Sequence, residues 1–452
     1  MELSVGNTEG AMEPDDVSTK QRRIAELAGI HPDVSFSSLA YHIDIEWLYE
    51  AYQRTRKDGA VGVDGKTAEE YAKDLGKNLG SLLDRAKSGK YFAPPVRRVH
   101  IPKGSGKETR PIGIPTFEDK VLQRAVQMIL EPLYEQEFLD CSYGFRPRRS
   151  AHDALDTVWE QMMKMGGGWI IDLDIRKFFD TMDHGHIRGI LKRRVCDGVL
   201  LRLIGKWLKA GVLEGGEKSY PERGTPQGGV ISPMLSNIYL HEVLDKWFES
   251  EVKPRLKGEA FLVRFADDAI LVFSCRRDAE RVMEVLSKRF GKYGLSIHPE
   301  KTRLVWFGRP GKRGEETQNP PRWEKFDFLG FTHYWGRSRK GQWVVKRKTE
   351  KGRFTRALKR VAEWCKRNRH APIGEQQEAL SQKLMGHYAY YGVTGNIRCL
   401  SSFFHEVKRV WRKWLSRRSR GNPMQWKRFR ELLLRYPLPA ARVVHSCYVA
   451  KL

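Results

Sequence analysis

Two spacings of apolar residues divide the chain into predicted strands and predicted helices. In residues 169–175 apolar side chains alternate with Asp172 and Asp174, the period of two that is typical of a β-strand. Residues 261–273 contain two apolar runs on either side of Ala266-Asp267-Asp268-Ala269, which predicts a β-hairpin with acidic residues at its tip. Carboxylates are therefore expected to project from two otherwise buried strands.

The last part of the chain has the helical spacing instead. Apolar residues recur there at steps of three and four. The three stretches are Phe354, Leu358, Val361 and Cys365; Leu380, Leu384, Tyr388 and Tyr391; and Phe403, Val407, Trp411 and Trp414. A disordered tail would lack such stripes, so we predict a helical domain.

The same region carries most of the net charge. The chain has 81 Lys and Arg against 55 Asp and Glu, a formal charge of +26. Between Arg337 and Leu452 there are 29 Lys and Arg and 6 Asp and Glu, so +23 of that charge lies in this segment. Such an excess favours a polyanion, RNA or DNA before an acidic membrane surface. We predict that this domain contacts nucleic acid, with Trp411 and Trp414 divided between core and stacking; a merely solvated surface is the alternative.

Several classes of protein are excluded by composition. No stretch approaches the roughly 18 apolar residues of a membrane-spanning helix, and the acidic N terminus resembles neither a signal nor a transit peptide. The six cysteines are scattered without a CxxC pair, so we expect free thiols in a reducing compartment and no zinc-dependent nuclease module. Residues 308–321, dense in Gly, Pro and charge, are predicted to form an exposed loop.

The adjacent carboxylates of Asp267 and Asp268 need an explanation, because like charges repel. Asp often forms turns through its own side-chain hydrogen bonds, so the pair would suit the hairpin alone. Alternatively, a divalent cation offsets the repulsion, since Mg²⁺ takes carboxylate oxygens and keeps sites open for phosphate. The two residues by themselves leave both interpretations open.

Further motifs decide between them, because together they resemble the reverse transcriptases. In chain order they are Arg110-Pro-Ile-Gly-Ile-Pro-Thr116, Tyr143-Gly-Phe-Arg-Pro147 with Ser150-Ala-His152, Asp174-Ile-Arg-Lys-Phe-Phe-Asp180 with His184, Gly224-Thr-Pro-Gln-Gly-Gly-Val-Ile-Ser-Pro233 with Asn237, Phe265-Ala-Asp-Asp268, residues 295–301, and Phe328-Leu-Gly-Phe331. The second and fourth are similar to the bacterial group II intron branch rather than the retroviral one, as is Gly62-Val-Asp-Gly65 upstream. One position departs, since Phe265 stands where the family usually has Tyr.

The resemblance implies an α+β fold: a right-hand polymerase of fingers and palm, followed by an all-helical thumb similar to the maturase (X) domain of intron-encoded proteins. We expect a mobile N-terminal segment over 1–35, an N-terminal extension and the start of the fingers over 36–100, reverse transcriptase fingers and palm over 101–335, and the basic thumb/maturase domain over 336–452.

The family's catalytic residues map onto three carboxylates. The resemblance implies that Asp174, Asp267 and Asp268 hold two Mg²⁺ ions, with Mn²⁺ a possible substitute, about 3.5–4 Å apart, the spacing that clamps attacking and leaving oxygens. Asp172 is the rival of Asp174. Only Asp174 has an aromatic residue five positions on, as the family's motif requires.

That aromatic residue, Phe179, would lie under the sugar of the incoming nucleotide and exclude a 2′-hydroxyl; an ordinary core phenylalanine is the alternative, for which the neighbouring Phe178 is the better candidate. Lys301 matches a lysine that would protonate pyrophosphate, a role open to Lys, although a surface lysine also fits.

Two more nucleotide contacts are expected. A predicted turn at Gly104-Ser-Gly106 would bring Lys103 near Arg110, and two such cations suit a triphosphate, although a solvated basic hairpin is the alternative. The resemblance places Gln227, in a glycine-rich segment, at the nascent base pair. Nucleic-acid contacts are predicted for a set of basic residues: Arg146, Lys408, Arg409, Arg412, Lys413, Arg417, Arg418 and Arg420.

The sequence therefore predicts an RNA-directed DNA polymerase of a group II intron, without an endonuclease domain, that also assists splicing as a maturase. Its expected partners are the intron RNA, an RNA template with a DNA primer, target DNA and deoxynucleoside triphosphates, but no membrane. We expect a cytoplasmic bacterial protein that acts at the nucleoid. An intron-independent reverse transcriptase, domesticated or in phage defence, and an RNA-binding splicing factor alone are the alternatives.

Overall fold

The computed structural model describes residues 16–102, 109–220, 223–225, 228–311, 324–418 and 424–446. Helices are spread over these ranges. They are α1 (Val17–Ile30), α2 (Ile45–Arg54), α3 (Ala68–Ala72), α4 (Leu75–Lys87), α5 (Phe117–Tyr134), α6 (Ala151–Met165), α7 (Phe178–Thr181), α8 (His184–Lys192), α9 (Gly198–Leu208), α10 (Ser232–Leu240), α11 (Arg276–Lys292), α12 (Lys351–Arg367), α13 (Ile373–Tyr391), α14 (Ile397–Leu415) and α15 (Trp426–Arg435).

The strands form three sheets. They are β1 (Val96–Pro102), β2 (Thr109–Ile114), β3 (Gly167–Leu173), β4 (Val212–Glu214), β5 (Glu217–Ser219), β6 (Ala260–Phe265), β7 (Asp268–Phe273), β8 (Arg303–Gly308), β9 (Phe326–Phe328), β10 (Phe331–Arg337) and β11 (Trp343–Thr349). The sheet orders are β2-β1-β4-β5, β6-β7-β3-β8 and β11-β10-β9. The strands pair antiparallel except β1 and β4, which pair in parallel, and this mixture of helices and sheets agrees with the expected α+β class.

The sheet β6-β7-β3-β8 is called the palm below, after the layout that the sequence predicts, and at its centre lies the strand predicted from residues 169–175. β3 pairs antiparallel with both β7 and β8. Ile170 and Ile171 are fully buried on opposite faces, in two different core clusters. Because both faces of the sheet are covered, the carboxylates at its end are held on a rigid element.

The N-terminal segment differs from expectation. Residues 1–35 are predicted to be mobile, but Val17–Ile30 form helix α1, which packs against α5. Val17, Ile24 and Ala28 are buried, because their spacing places them on one face of the helix. The first 15 residues of that prediction lie outside the described residues, as do residues 312–321 of the predicted loop.

The basic C-terminal segment is not all-helical. The expected boundary at residue 335 cuts through β10, which pairs with β11 along its whole length. The helices begin at Lys351, after β11. A buried pair joins strand to helix, since Asn396 Nδ2 donates to Thr349 Oγ1 at 2.9 Å and the Thr349 backbone N–H donates to Asn396 Oδ1 at 3.0 Å. The helical domain is therefore anchored to a hairpin that extends the palm.

The apolar stripes of α12, α13 and α14 form their own core, as predicted. Leu384, Val407 and Trp411 are fully buried there, and Trp411 Nε1 donates to Gln376 Oε1 at 2.9 Å. Among the described helices, none has an apolar stretch of the length that a bilayer crossing requires.

Candidate active site and nucleic-acid surfaces

The predicted carboxylates lie side by side at one end of the palm sheet. The antiparallel register of β3 and β7, continued by one residue beyond β3, sets Asp174 opposite Asp268. Asp267 lies in the two-residue turn between β6 and β7, since Phe265 pairs with Asp268. Directly opposed residues on one face of such a pair have Cβ atoms roughly 5 Å apart. The fold thus brings together three carboxylates from two distant chain segments.

A buried arginine holds the turn in place. Arg264 is fully buried, and its Nη1 donates to the Ala266 carbonyl in the turn at 3.0 Å. Its Nε and Nη2 donate to the two oxygens of Asp245 at 2.7 and 2.6 Å. The remaining N–H groups reach Asn237 Oδ1 at 3.0 Å and Ser142 Oγ at 2.7 Å. Since every guanidinium N–H has an acceptor, this network is rigid and fully satisfied.

The glycine of Tyr143-Gly-Phe-Arg-Pro147 packs directly against the same turn. A Cβ on Gly144 would lie 2.3 Å from the Ala266 backbone nitrogen. Asn237 Nδ2 donates to the Gly144 carbonyl at 2.7 Å, which ties the motif to the Arg264 network. Ala266 has φ of 58°, a left-handed conformation that costs a non-glycine residue about 1–3 kcal/mol. The contacts on both sides keep this strained turn in its conformation.

The negative charges of the site lie close together. Burial raises the pKa of Asp268 to about 6, and the negative charges of Asp267 and Asp174 add to the rise. Asp268 nevertheless lies at the exposed end of β7. Burial also raises the pKa of Asp267, with Asp174 adding to the rise and Arg110 opposing it. Burial and mutual repulsion therefore disfavour the charged forms of Asp267 and Asp268, although Arg110 partly offsets the effect at Asp267.

Asp172 and Asp174 have different surroundings, which separates the two rivals. Asp172 pairs with Arg303 on the neighbouring strand, with 3.2 Å between Nε and Oδ2. Asp174 lies beyond the strand, where Lys301 Nζ is 3.6 Å from its Oδ2. The geometry places Asp174 and Lys301 together at the carboxylate end and gives Asp172 a partner of its own.

The three carboxylates fit a divalent metal by donor type. Hard cations such as Mg²⁺ take carboxylate oxygens, and such an ion would neutralise the negative charge that Asp174, Asp267 and Asp268 bring to this end of the sheet. Throughout the described ranges, no three His, Cys, Asp or Glu side chains are already gathered into a metal cluster. Asp174, Asp267 and Asp268 are the residues that would hold such an ion.

The aromatic pair after Asp174 is divided as predicted. Phe178 is 2% exposed and packs edge-to-face against Tyr239, so it belongs to the core. Phe179 is half-buried, and its carbonyl accepts a hydrogen bond from the Thr225 backbone at 2.7 Å. Gly224, with φ of 89°, lies so close that a Cβ would be 2.7 Å from the Phe179 carbonyl oxygen. The glycine-rich segment thus runs directly over Phe179.

Of the predicted triphosphate ligands, Arg110 lies near enough to Asp267 to oppose the rise in its pKa. It pairs with Ile101 across the β1–β2 hairpin, and its charge acts on Asp267. Lys103 and Gln227 lie outside the described residues.

Comparison with known proteins places the chain in a family. The model of the family described as reverse transcriptase (RNA-dependent DNA polymerase) matches residues 101–333, about half of the chain. The chain belongs to the reverse transcriptase family. The match ends at residue 333, within β10, so it covers the palm and the carboxylate site.

The relatives of this reverse transcriptase include proteins encoded by introns. It is 34% identical to protein YkfC of Escherichia coli over 64% of the chain and 84% of that protein. It is 42% identical to the group II intron-encoded protein LtrA of Lactococcus lactis over 53% of the chain, and 30% identical to nuclear intron maturase 2 of Arabidopsis thaliana over 30%. The chain spans 39% of LtrA and 24% of the maturase. The predicted resemblance to group II intron reverse transcriptases is confirmed.

Arg146 is not a surface contact of the reverse transcriptase, contrary to the prediction. It is 7% exposed, and its Nε and Nη2 donate to the Glu135 carboxylate at 2.9–3.1 Å. Its Nη1 donates to the carbonyls of Leu139 and Ser142 at 2.8 and 2.9 Å. Because its donors are used inside the protein, this arginine fixes the loop that carries Gly144.

The basic residues predicted along α14 and just after it differ in exposure and in their contacts: Arg409, Lys413 and Arg417 are exposed, whereas Lys408, Arg412 and Arg418 are partly buried. Arg409 pairs with Glu406, while Arg418 donates to the carbonyls of Arg369 and Ala371. The others lie over aromatic rings: Lys408 over Phe404, Arg412 over Trp426, and Lys413 and Arg417 over Trp414. Arg412 also donates to the Met424 carbonyl, and Arg420 lies outside the described residues.

A second row of arginines, on α12, was missed by the sequence reasoning. Arg353, Arg356, Arg360 and Arg367 line a groove of about 590 Å³ between α12, α13 and α14. The charge of Arg353 lowers the pKa of Asp268 against its overall rise, so the row begins at the catalytic end of the palm. Its three- and four-residue spacing was visible in the sequence, but its direction relative to the carboxylates was not.

Proposed function

We propose that this reverse transcriptase is the RNA-directed DNA polymerase of a group II intron and that it also assists splicing of the intron RNA. The observation that carries the proposal is the placement of Asp174 against the Asp267-Asp268 turn, with Lys301 and Arg110 beside them. These are the groups that nucleotidyl transfer needs at one point: metal-binding carboxylates, a cation for phosphate and a proton donor.

Each residue then has a role in the reaction. Asp174, Asp267 and Asp268 would hold two Mg²⁺ ions, or Mn²⁺ in their place, which supply Lewis-acid stabilisation of the attacking and leaving oxygens. Arg110, together with Lys103, binds the triphosphate. Lys301, half-exposed and beside Asp174, gives its proton to the departing pyrophosphate.

Selection of the substrate depends on the groups around Phe179. The ring lies under the sugar and excludes a 2′-hydroxyl, while the backbone contact from Thr225 holds the glycine-rich segment over it. Gln227, in that segment, contacts the nascent base pair. Deoxynucleoside triphosphates are therefore preferred.

The helical domain provides the main surfaces that bind nucleic acid. The α12 arginine row starts beside Asp268 and leads away from it, so it suits the phosphates of the RNA template paired with its DNA primer. The exposed cations of α14, seated on aromatic rings, suit the intron RNA, and the same surfaces are available to target DNA. We place this activity in the bacterial cytoplasm, at the nucleoid.

The test replaces one carboxylate at a time. Asp267→Asn and Asp174→Asn are expected to abolish Mg²⁺-dependent primer extension on an RNA template while RNA binding and splicing assistance remain, because chemistry rather than affinity is lost. Asp172→Asn is the matched control on the same strand, and it should retain extension because Asp172 pairs with Arg303. Extension at the wild-type rate in Asp267→Asn would refute the polymerase site. Loss in Asp172→Asn alone would show that the two rivals are exchanged.

A further inference from the structure

A cleft of about 840 Å³ lies between α8, α9 and the segment that follows α4, and none of the three carboxylates assigned to the metal site lines it. Its floor is apolar and formed by α8 and α9, with Leu191, Ile204 and Leu208 among the lining residues. Two aromatic side chains form its rim: Phe92, which follows α4 and is 73% exposed, and Tyr220, which follows β5 and is 66% exposed. Exposed rings over an apolar cleft are costly in water unless they contact something.

The cleft is also strongly basic. Lys90, Arg188, Arg202 and Lys209 line it and are exposed, and none forms an ion pair with a residue in the described ranges. A fifth cation, Lys206, donates to the carbonyls of Gly89 and Tyr91. Among the described residues that line the cleft, no Asp or Glu balances these charges. Such a surface attracts a polyanion.

We propose that this cleft binds an unpaired stretch of nucleic acid, separate from the polymerase cleft. The bases stack on Phe92 and Tyr220. The phosphates contact Arg188, Arg202, Lys90 and Lys209. A single strand fits and a duplex does not, because only unpaired bases expose their faces to aromatic side chains. The density of positive charge excludes a neutral apolar ligand as the preferred occupant.

A short stretch of chain joins the cleft to the glycine-rich segment that packs against Phe179. Tyr220 lies four positions before Gly224, whose backbone packs against Phe179. His184, which lines the cleft, hydrogen-bonds through Nε2 with the Gly224 carbonyl at 2.6 Å. A strand held here therefore lies close to the nucleotide site, although the proposal uses none of the residues assigned to catalysis.

Two double variants test the site. Phe92→Ala with Tyr220→Ala removes the stacking platform, and Arg188→Gln with Arg202→Gln removes two phosphate contacts from exposed helix positions. The matched controls are Tyr41→Ala, an aromatic residue that is 81% exposed outside the cleft, and Lys288→Gln with Lys292→Gln on α11. Thermal melts verify that each variant is folded; if the aromatic variant unfolds, the arginine variant decides.

Binding is measured with fluorophore-labelled oligouridine and, in a second arm, oligothymidine, in the presence of excess unlabelled blunt duplex that occupies the duplex-binding surfaces. The aromatic variant should bind roughly tenfold or more weakly, since stacking is the main sequence-independent contact. The arginine variant should flatten the plot of log affinity against log salt by about 1.4, or 0.7 per phosphate. Photo-cross-links from a 5-iodouridine strand should map to Phe92 or Tyr220.

Wild-type affinity and salt slope in both variants, with cross-links elsewhere, would overturn the site. Comparable losses in the two controls would do the same, because the effect would then reflect charge or aromatic content in general. These outcomes are independent of the Asp267→Asn extension assay, so this site and the polymerase site can fail separately.

Discussion

The palm and the helical domain both depend on charged side chains, but these side chains differ in burial and in their hydrogen-bond partners. In the palm, Arg264 is fully buried and each of its N–H groups has an acceptor in the protein. In the helical domain, Lys413 and Arg417 are exposed and lie over the ring of Trp414. One region fixes its charges by internal hydrogen bonds, and the other leaves them accessible.

The difference follows from what each region contacts. Carboxylates that share metal ions must be placed to within fractions of an ångström, so their support has to be rigid and buried. Phosphates attract cations over several ångströms and tolerate mobile side chains, so the number of cations matters more than the position of each. The comparison predicts that single changes should be severe in the palm and mild in the helical domain.

The largest effect is expected at Arg264. Arg264→Gln leaves Asp245 as a buried charge without its partner, which should destabilise the protein by about 3–5 kcal/mol. Arg264→Lys keeps the charge but loses the forked contact to Asp245 and Ala266, so it should melt closer to wild type and yet lower kcat for primer extension. The measurements are thermal melts, and kcat and KM for deoxynucleotide at a temperature where each variant is folded.

The matched control is Arg194→Gln. Arg194 is 4% exposed and pairs with Glu137 in the fingers, far from the turn along the chain. It should lower the melting temperature by a similar amount without changing kcat of the folded enzyme. Equal losses of kcat in the Arg264 and Arg194 variants would mean that the Arg264 network only stabilises the fold and does not position the carboxylates.

The second effect concerns Phe179, the side chain proposed to exclude a 2′-hydroxyl. Phe179→Val should raise ribonucleotide incorporation relative to deoxynucleotide roughly 10–100-fold, since discrimination by a single steric contact is of that order. The control is Phe178→Leu, which should reduce stability because Phe178 is buried, but leave discrimination unchanged. Competing single-nucleotide insertion measures both. If Phe178→Leu relaxes discrimination and Phe179→Val does not, the two rings have been assigned the wrong way round.

The parts of the site that the sequence predicted are those with local causes. Strand alternation predicted that Asp174 would project from an otherwise buried strand over residues 169–175, and the apolar runs around Asp267 predicted a hairpin tip. The structure confirms the hairpin tip but ends the strand at Leu173, one residue before Asp174. Phe178 is buried, as predicted for a core residue, whereas Phe179 is half-buried and its role in excluding a 2′-hydroxyl stays a prediction. Each of these depends on residues within a few positions along the chain.

The parts that the sequence missed depend on distant partners. Arg146 is buried because Glu135, at the end of α5, folds against it, and no local pattern indicates this pair. The basic segment was expected to be all-helical, but β11 pairs with β10, so the strand is stabilised by a neighbour outside the segment. The α12 arginine row became a candidate only when the fold placed Arg353 near Asp268.

The third effect separates the two basic surfaces. Arg356→Gln with Arg360→Gln should weaken binding of an RNA template–DNA primer duplex and flatten its salt slope by roughly 1.4–1.8, at 0.7–0.9 per lost phosphate contact. Lys413→Gln with Arg417→Gln should do the same for structured intron RNA and spare the duplex. A salt series for both ligands with both variants gives four slopes. If the two variants affect both ligands equally, the surfaces act as one and the division between α12 and α14 is wrong.

The smallest effect is a pH dependence that tests how the palm side of the molecule is packed. His333 on β10 is fully buried and stacks on Phe326 at 4.5 Å, and burial lowers the pKa of His333 to about 3. Below about pH 6.5 the His333 side chain binds a proton in the unfolded chain but not in the folded protein. The free energy of unfolding is therefore retained above that pH and falls as the pH decreases towards 3. His333→Phe removes this titration while keeping a ring, and it should therefore reduce the acid-induced loss by about 2 kcal/mol at pH 5. The exposed His405→Gln is the control, and denaturant melts at pH 7.5 and 5 measure the change. If the free energy of unfolding depends on pH equally in wild type and His333→Phe, His333 is protonated in the folded protein. A charged imidazole would then be tolerated in this part of the core.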